Sequence, residues 1–290
     1  MAINSNLSNS KISFIGGGNM GRALVGGLIQ NGLAASQISV VENHTETAAK
    51  LKDDFKLSVF SSLELAQQTL LATDVVMLAI KPQDFRQAAQ ALGELFKSNS
   101  SQDKSLFISI AAGINLSSMS AWLQSQRCIR AMPNTPALIS KGITGLCANQ
   151  SVSSSDKTVA ETICGSVGKV VWVKDENQID AITALSGSGP AYVFAFLEAL
   201  QAAGEKIGLD AKTSRELAYE TLLGGALLAH QSADSASALR EKVTSKGGTT
   251  AAALQVLKEK SWQAILEEAI ASAAKRSQAI SQEFGNPKNN

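Results

Sequence analysis

The sequence predicts an α/β protein in which a doubly wound, mostly parallel sheet over residues 1–175 is followed by an all-helical region over residues 176–290. Three observations carry this. Short apolar runs of β type alternate with longer helical patterns through the first part, as in strand–helix–strand units. From Asn177 onward that signal stops, and Ala, Leu, Glu, Gln and Lys dominate with apolar residues recurring at three and four. With 290 residues, 44% of them hydrophobic, the chain sits at the length where one core stops growing, roughly 250–300 residues, so two domains are expected.

In order, the strands are expected at Lys11–Ile15, Ile38–Val41, Asp74–Ile80, Ser105–Ala111, Cys128–Met132, Gly145–Ala148 and Val170–Val173. The run VVMLAI is continuous rather than alternating, as in a strand buried on both faces. In the helical half, breaks are expected at Gly208, at Ala233–Ser237 and at the polar stretch Ser245–Thr250. The helix from Ala181 to Leu200 is apolar enough that a second face should be covered by another subunit, with a self-contained helical monomer as the alternative.

Composition narrows the chemistry. Lys plus Arg number 26 against 25 acidic residues, a net charge of +1, so no polyanion-binding surface and no nucleic-acid partner is expected. No apolar run reaches the roughly 18–20 residues of a membrane span, and the opening MAINSNLSNSK lacks a basic region followed by a hydrophobic stretch, so the expectation is a cytoplasmic protein off the membrane. Cys128, Cys147 and Cys164 are widely spaced with mostly apolar neighbours and read as reduced core thiols. Two histidines, His44 and His230, leave almost no material for a metal centre or a Ser-His-Asp triad, so a bound organic cofactor is expected to carry the reaction and no metal is assigned.

The strongest local signal is Gly16-Gly17-Gly18-Asn19-Met20-Gly21, a G-x-G-x-x-G between a strand and a helix. Glycines there permit a tight turn and close approach of backbone to a pyrophosphate, and the helix N-terminus meets the anion, so the first domain reads as a Rossmann dinucleotide-binding fold. About twenty residues on, the evidence divides. Glu42 argues for a free ribose, as in NAD, whereas Asn43, His44 and Thr45, with Lys50 nearby, offer donors for a 2′-phosphate. Ala79, Ile80, Lys81, Pro82 and Gln83 leave a strand at the carboxyl edge of the sheet, where cofactors lie. Ser109–Gly113 and Arg130–Pro136 reach the same edge, and Asn134 and Thr135 there either serve the site or fix a turn. In the helical half, Leu185–Tyr192 and Val243–Thr250 place glycines and hydroxyls before helices, where backbone N–H groups hold a carboxylate.

In this order IGGGNMG, AIKPQ, SIAAG, RAMPNTPA, ALSGSGPAYVF and TSKGGTT resemble the pyrroline-5-carboxylate reductases, over roughly Lys11 to Ser281. That resemblance implies reduction of Δ1-pyrroline-5-carboxylate to L-proline, the last step of proline synthesis, with NADPH expected and NADH as the alternative. It also implies a helical dimerisation domain, hence a homodimer, with a ring of dimers as a further assembly. Carried onto this chain, it gives Gly16, Gly18, Asn19, Met20 and Gly21 to the pyrophosphate and Asn43, His44 and Thr45 to the adenosine side. Ala79, Ile80, Lys81 and Pro82 would line the cofactor, and Ala111, Ala112 and Asn134 would border the nicotinamide. Ser188, Ser245, Gly247, Gly248, Thr249 and Thr250 would hold the substrate, and Thr250 and Lys81 are the catalytic candidates, Thr250 directing its hydroxyl at the ring nitrogen. Two departures stand out: Lys246 where the family commonly has proline, and the pair Glu42 and His44 where many relatives have a neutral residue and an arginine. The rival readings are a β-hydroxyacid dehydrogenase, whose catalytic lysine has no counterpart between Pro190 and Glu205, and a non-catalytic dinucleotide-binding protein.

Overall fold

The computed structural model describes residues 7, 9–100 and 104–285. They divide into two compact units, one running to Ser188 and taking back the chain from Ala273, the other Gly189–Ser272. Among the described residues the first unit holds eight strands: β1 (Ile12–Ile15), β2 (Ile38–Val41), β3 (Ser58–Phe60), β4 (Val75–Leu78), β5 (Leu106–Ser109), β6 (Cys128–Met132), β7 (Gly142–Ala148) and β8 (Gly168–Trp172). Their spatial order is β3-β2-β1-β4-β5-β6-β7-β8, parallel throughout except for the antiparallel β6–β7 pair. The doubly wound sheet is therefore as expected, and β3 is the strand that periodicity did not show. It has three residues at the sheet edge, none fully buried, so no apolar run marks it.

Helices α1 (Asn19–Gln30), α2 (Thr45–Phe55), α3 (Gln67–Leu71), α4 (Pro82–Ser98), α5 (Leu116–Leu123) and α6 (Ser154–Gly165) connect the strands. They split the core into two apolar layers. One gathers Phe14, Leu24, Leu28, Val40, Met77 and Ile108, the other Phe85, Phe96, Phe107, Met119 and Trp122. Every residue of β1, β2, β4 and β5 is buried, as parallel strands covered on both faces require. Two of the polar side chains on these strands bond each other and one beside them: the Ser13 hydroxyl lies 2.7 Å from that of Ser39 and 2.6 Å from that of Thr73, ahead of β4, and Thr73 donates to the Thr69 carbonyl at 2.9 Å.

The first unit ends later than the change of periodicity at 175/176. Residues there turn helical yet still pack on the sheet: α7 (Gln178–Ile182) buries Ile179 completely, and the side chain of Ile182 lies against Gly145 of β7, where a Cβ would stand 2.5 Å from it. The guanidinium of Arg130, only 4% exposed, reaches Glu176 at 3.1 Å and Asp180 at 3.7 Å. Glu176 also accepts the Leu116 N–H at 2.7 Å, and Asp180 accepts the Ser277 hydroxyl at 2.7 Å, which fastens the end of the last helix to this unit.

The second unit is entirely helical among its described residues: α8 (Gly189–Lys206), α9 (Ala211–Gln231), α10 (Ala236–Lys242), α11 (Thr249–Glu259) and the start of α12 (Trp262–Phe284). Its breaks fall where the sequence placed them. Gly208 takes φ +104° while the Leu209 N–H returns to the Gly204 carbonyl, and side chains of Asp210 and Ser235 cap α9 and α10. The stop before α12 was not anticipated; it is made by Ser261 at φ +53°. Phe194 and Leu223 on α8 and α9 remain 59% and 54% exposed.

All three cysteines are free and buried, as read from their neighbours. Burial raises all three thiols, Cys128 and Cys164 to about 12, and Glu176 adds to the effect at Cys147. The folded protein is therefore expected to give negligible reaction with Ellman's reagent at pH 8, with three thiols appearing in guanidinium; fast labelling before unfolding contradicts this.

Candidate functional site

The carboxyl ends of parallel β1, β2, β4, β5 and β6 share one edge of the sheet, and connections diverge on either side of the β1–β4 pair. In open α/β sheets the ligand crevice opens at that switch point. Here the chain leaves β1 through Gly16, whose N–H donates to the Val41 carbonyl at 2.8 Å and whose φ is +94°. A Cβ at Gly16 would stand 2.5 Å from the carbonyl oxygen of Ala79, at the end of β4; one at Gly21 would stand 2.8 Å from the Gly16 carbonyl. Both glycines are thus required for the turn to close. Gly18 differs: its φ is −62°, and a Cβ there would have nothing within 4 Å.

Gly18 is also the N-cap of α1, and no side chain among the described residues caps that helix. Exposed Asn19 and half-buried Met20 open it, and no acidic residue stands in its first turn. Free N–H groups of a twelve-residue helix thus face open space beside the sheet crevice. A pyrophosphate fits that cradle in charge and in room.

At the end of β2 the carboxylate of Glu42 faces inward rather than solvent: it accepts the Gly17 N–H at 2.8 Å and the His44 N–H at 2.7 Å. Asn43, His44 and Thr45 are exposed, and the His44 ring lies 3.1 Å from the Thr47 hydroxyl. Ala79 and Ile80 are half-buried against the glycine turn, exposed Lys81 is the N-cap of α4, and Pro82 is its first residue. These residues do come together on one edge.

The two remaining loops meet the expectation in part. The methyl group of Ala111 is packed in the core at 4% exposure, and half-buried Ala112 is the more open of the pair. Asn134 is 9% exposed and its amide is engaged: it accepts the Ile143 N–H at 2.9 Å and donates to the Ser186 carbonyl at 3.1 Å. It therefore ties the loop after β6 to the segment ahead of α8. That segment is a π-helical turn, Thr183–Gly187, in which the Ser188 N–H donates to the Thr183 carbonyl at 2.8 Å. The Ser188 amide N–H is thus satisfied within the turn. No sequence pattern marks a π turn, since one added residue shifts the helical period only locally.

In the second unit, Ser245–Gly248 form a turn closed by the Gly248 N–H on the Ser245 carbonyl at 3.1 Å, with Gly247 at φ +73°. A Cβ on Gly248 would stand 2.5 Å from the Ser245 hydroxyl, so a larger residue there would turn that side chain aside. Gly248 is the N-cap of α11, again without a side-chain cap, and Thr249 and Thr250 occupy its first two positions. The turn carries Lys246, exposed, in a second uncapped cradle suited to a carboxylate.

Among the described residues no group of three or more His, Cys, Asp or Glu side chains could hold a metal ion, and no helix is long and apolar enough to cross a membrane.

Comparison with known proteins finds similarity over both halves of the chain. Residues 176–280 match the family "Pyrroline-5-carboxylate reductase dimerisation", and residues 11–113 match "NADP oxidoreductase coenzyme F420-dependent". A pyrroline-5-carboxylate reductase of Pseudomonas aeruginosa is 40% identical over 280 residues, covering 96% of this chain and all of that protein. The solved pyrroline-5-carboxylate reductase of Coxiella burnetii superposes with a TM-score of 0.87 at 39% identity, covering 94% of this chain and 98% of its own. The Plasmodium falciparum enzyme, solved with NADP bound, gives 0.79 at 30% identity, covering 94% and 99%. With its helical half matched and relatives at 39–40% identity over nearly the whole chain, this chain belongs to the pyrroline-5-carboxylate reductases, NAD(P)-dependent oxidoreductases acting on a CH–NH group.

Proposed function

We propose that the chain reduces Δ1-pyrroline-5-carboxylate to L-proline, with residues 1–175 as the dinucleotide domain and residues 176–290 as the substrate and dimerisation domain. The observation that carries the reading is the pair of uncapped, glycine-turned helix starts, at Gly18 and at Gly248. NAD(P)H supplies the hydride that adds to the imine carbon. Gly16, Gly18, Asn19, Met20 and Gly21 hold the pyrophosphate, and Ala79, Ile80, Lys81, Pro82, Ala112 and the backbone of Ala111 line the way to the nicotinamide. Asn43, His44 and Thr45 edge the adenosine side.

Ser245, Gly247, Gly248 and Thr249 take the substrate carboxylate on backbone N–H groups and hydroxyls, and Ser188, supplied by the second copy of the chain in the dimer, completes the pocket. Thr250 places its hydroxyl at the ring nitrogen, whose proton comes from substrate or solvent. No acid of unusual pKa is needed, because the iminium is already electrophilic and the residues act by orientation. The exposed apolar faces of α8 and α9 are those a second copy covers in the homodimer, and dimers joined in a ring are the further assembly. Three free thiols suit the reducing cytoplasm, where we place the protein.

Oxidation of NADPH or NADH that depends on added pyrroline-5-carboxylate is the expected assay result, and its absence with both nucleotides refutes the reading. Thr250→Ala is expected to lower kcat about 10- to 100-fold, the loss of one positioning contact, with Thr250→Ser retaining most of the rate. Unchanged kinetics in the alanine variant would remove Thr250 from the mechanism.

A further inference from the structure

We infer that Glu42 makes this enzyme prefer NADH, of the two nucleotides NADH and NADPH; the inference rests on the dinucleotide reading above. Glu42 follows the last residue of β2, and its own N–H donates to the Phe60 carbonyl at 2.8 Å, so its backbone is fixed by the sheet. Both carboxylate oxygens are then held, one by Gly17 in the glycine turn and one by His44 at the start of α2. This is a side chain anchored at the edge of the proposed cofactor cradle. An acidic residue at that place in a Rossmann unit accepts ribose hydroxyls, and each anchored oxygen retains a lone pair for that purpose.

A 2′-phosphate would bring about −1.5 to −2 charges to the same place. The groups that could offset it do not outweigh the acids. Glu46 stands in the first turn of α2, so the exposed cation Lys50 shares that helix with a second carboxylate beside Glu42. The His44 ring is engaged with Thr47. Arg22, on the helix that follows the glycine turn, pairs with Asp54 and lies over the Phe55 ring at 5.2 Å. Asn43, Thr45 and the start of α2 offer neutral donors, which serve hydroxyls as well as phosphate.

Equilibrium binding of each reduced nucleotide, measured by calorimetry on the full chain without substrate, tests this apart from turnover. The dissociation constant for NADH is expected to be at least about tenfold lower than for NADPH, from like-charge repulsion close to the carboxylate. Glu42→Gln keeps the shape and one acceptor but removes the charge. It should weaken NADH, tighten NADPH and shrink the ratio by about tenfold or more. Glu42→Ser, smaller and neutral, should shift the ratio the same way, so a folding defect in one variant, visible as a lowered Tm, leaves the other to decide. Wild-type protein binding NADPH as tightly as NADH overturns the inference, as does a ratio that neither folded variant moves. Failure to bind either nucleotide would instead overturn the dinucleotide reading.

Discussion

Arg130→Met is expected to lower the free energy of unfolding by about 3–5 kcal/mol in urea titrations, the usual effect of removing one partner from a buried ion pair. The guanidinium is 4% exposed, facing Glu176 and Asp180, whose side chains are 28% and 11% exposed. Without it, two carboxylates stay largely out of water with only the Leu116 N–H and the Ser277 hydroxyl to hold them. These contacts join β6, the start of α5, the segment around α7 and the end of α12 within the first unit. Neutralising the acids as well, in Arg130→Met/Glu176→Gln/Asp180→Asn, is expected to recover much of the loss, because the cost lies in the unpaired charge rather than in a missing contact. A single variant within 1 kcal/mol of wild type would show that water already reaches this cluster.

Gly16→Ala is expected to abolish dinucleotide binding and to lower stability by about 2–4 kcal/mol, whereas Gly18→Ala should leave Tm unchanged and still weaken binding about tenfold or more. At Gly16 two penalties coincide, a left-handed φ of +94° and a Cβ placed 2.5 Å from the Ala79 carbonyl, so the end of β4 would have to move. At Gly18 the backbone suits any residue and the added methyl meets nothing within 4 Å. The only space it removes is space the proposed pyrophosphate needs. Calorimetric binding and thermal melting of the two variants separate the roles; a Gly18→Ala variant that binds as well as wild type would empty that cradle of its proposed ligand.

Much of this was legible in the sequence, for reasons that are local. The continuous run VVMLAI reads as a strand covered on both faces because it is short and rich in valine, and G-x-G-x-x-G between a strand and a helix needs no distant residue to define its turn. Loss of β periodicity after Val173 likewise follows from composition alone, as do the breaks at Gly208 and before α10. What escaped has little local signature: edge strand β3, too short for an apolar pattern, and the π turn at Thr183–Gly187.

The chain order of residues therefore determined the doubly wound sheet, the helical half, both glycine turns and the family. Only the tertiary structure decided that α7 belongs with the sheet, that Asn134 spends its amide on Ile143 and Ser186, and that Glu42 turns inward onto Gly17. Each of these depends on which partner a polar or apolar side chain meets across a gap of many residues. Spacing along the chain fixes a helix face or a turn, whereas the partner of a buried amide or carboxylate is set by the folded packing.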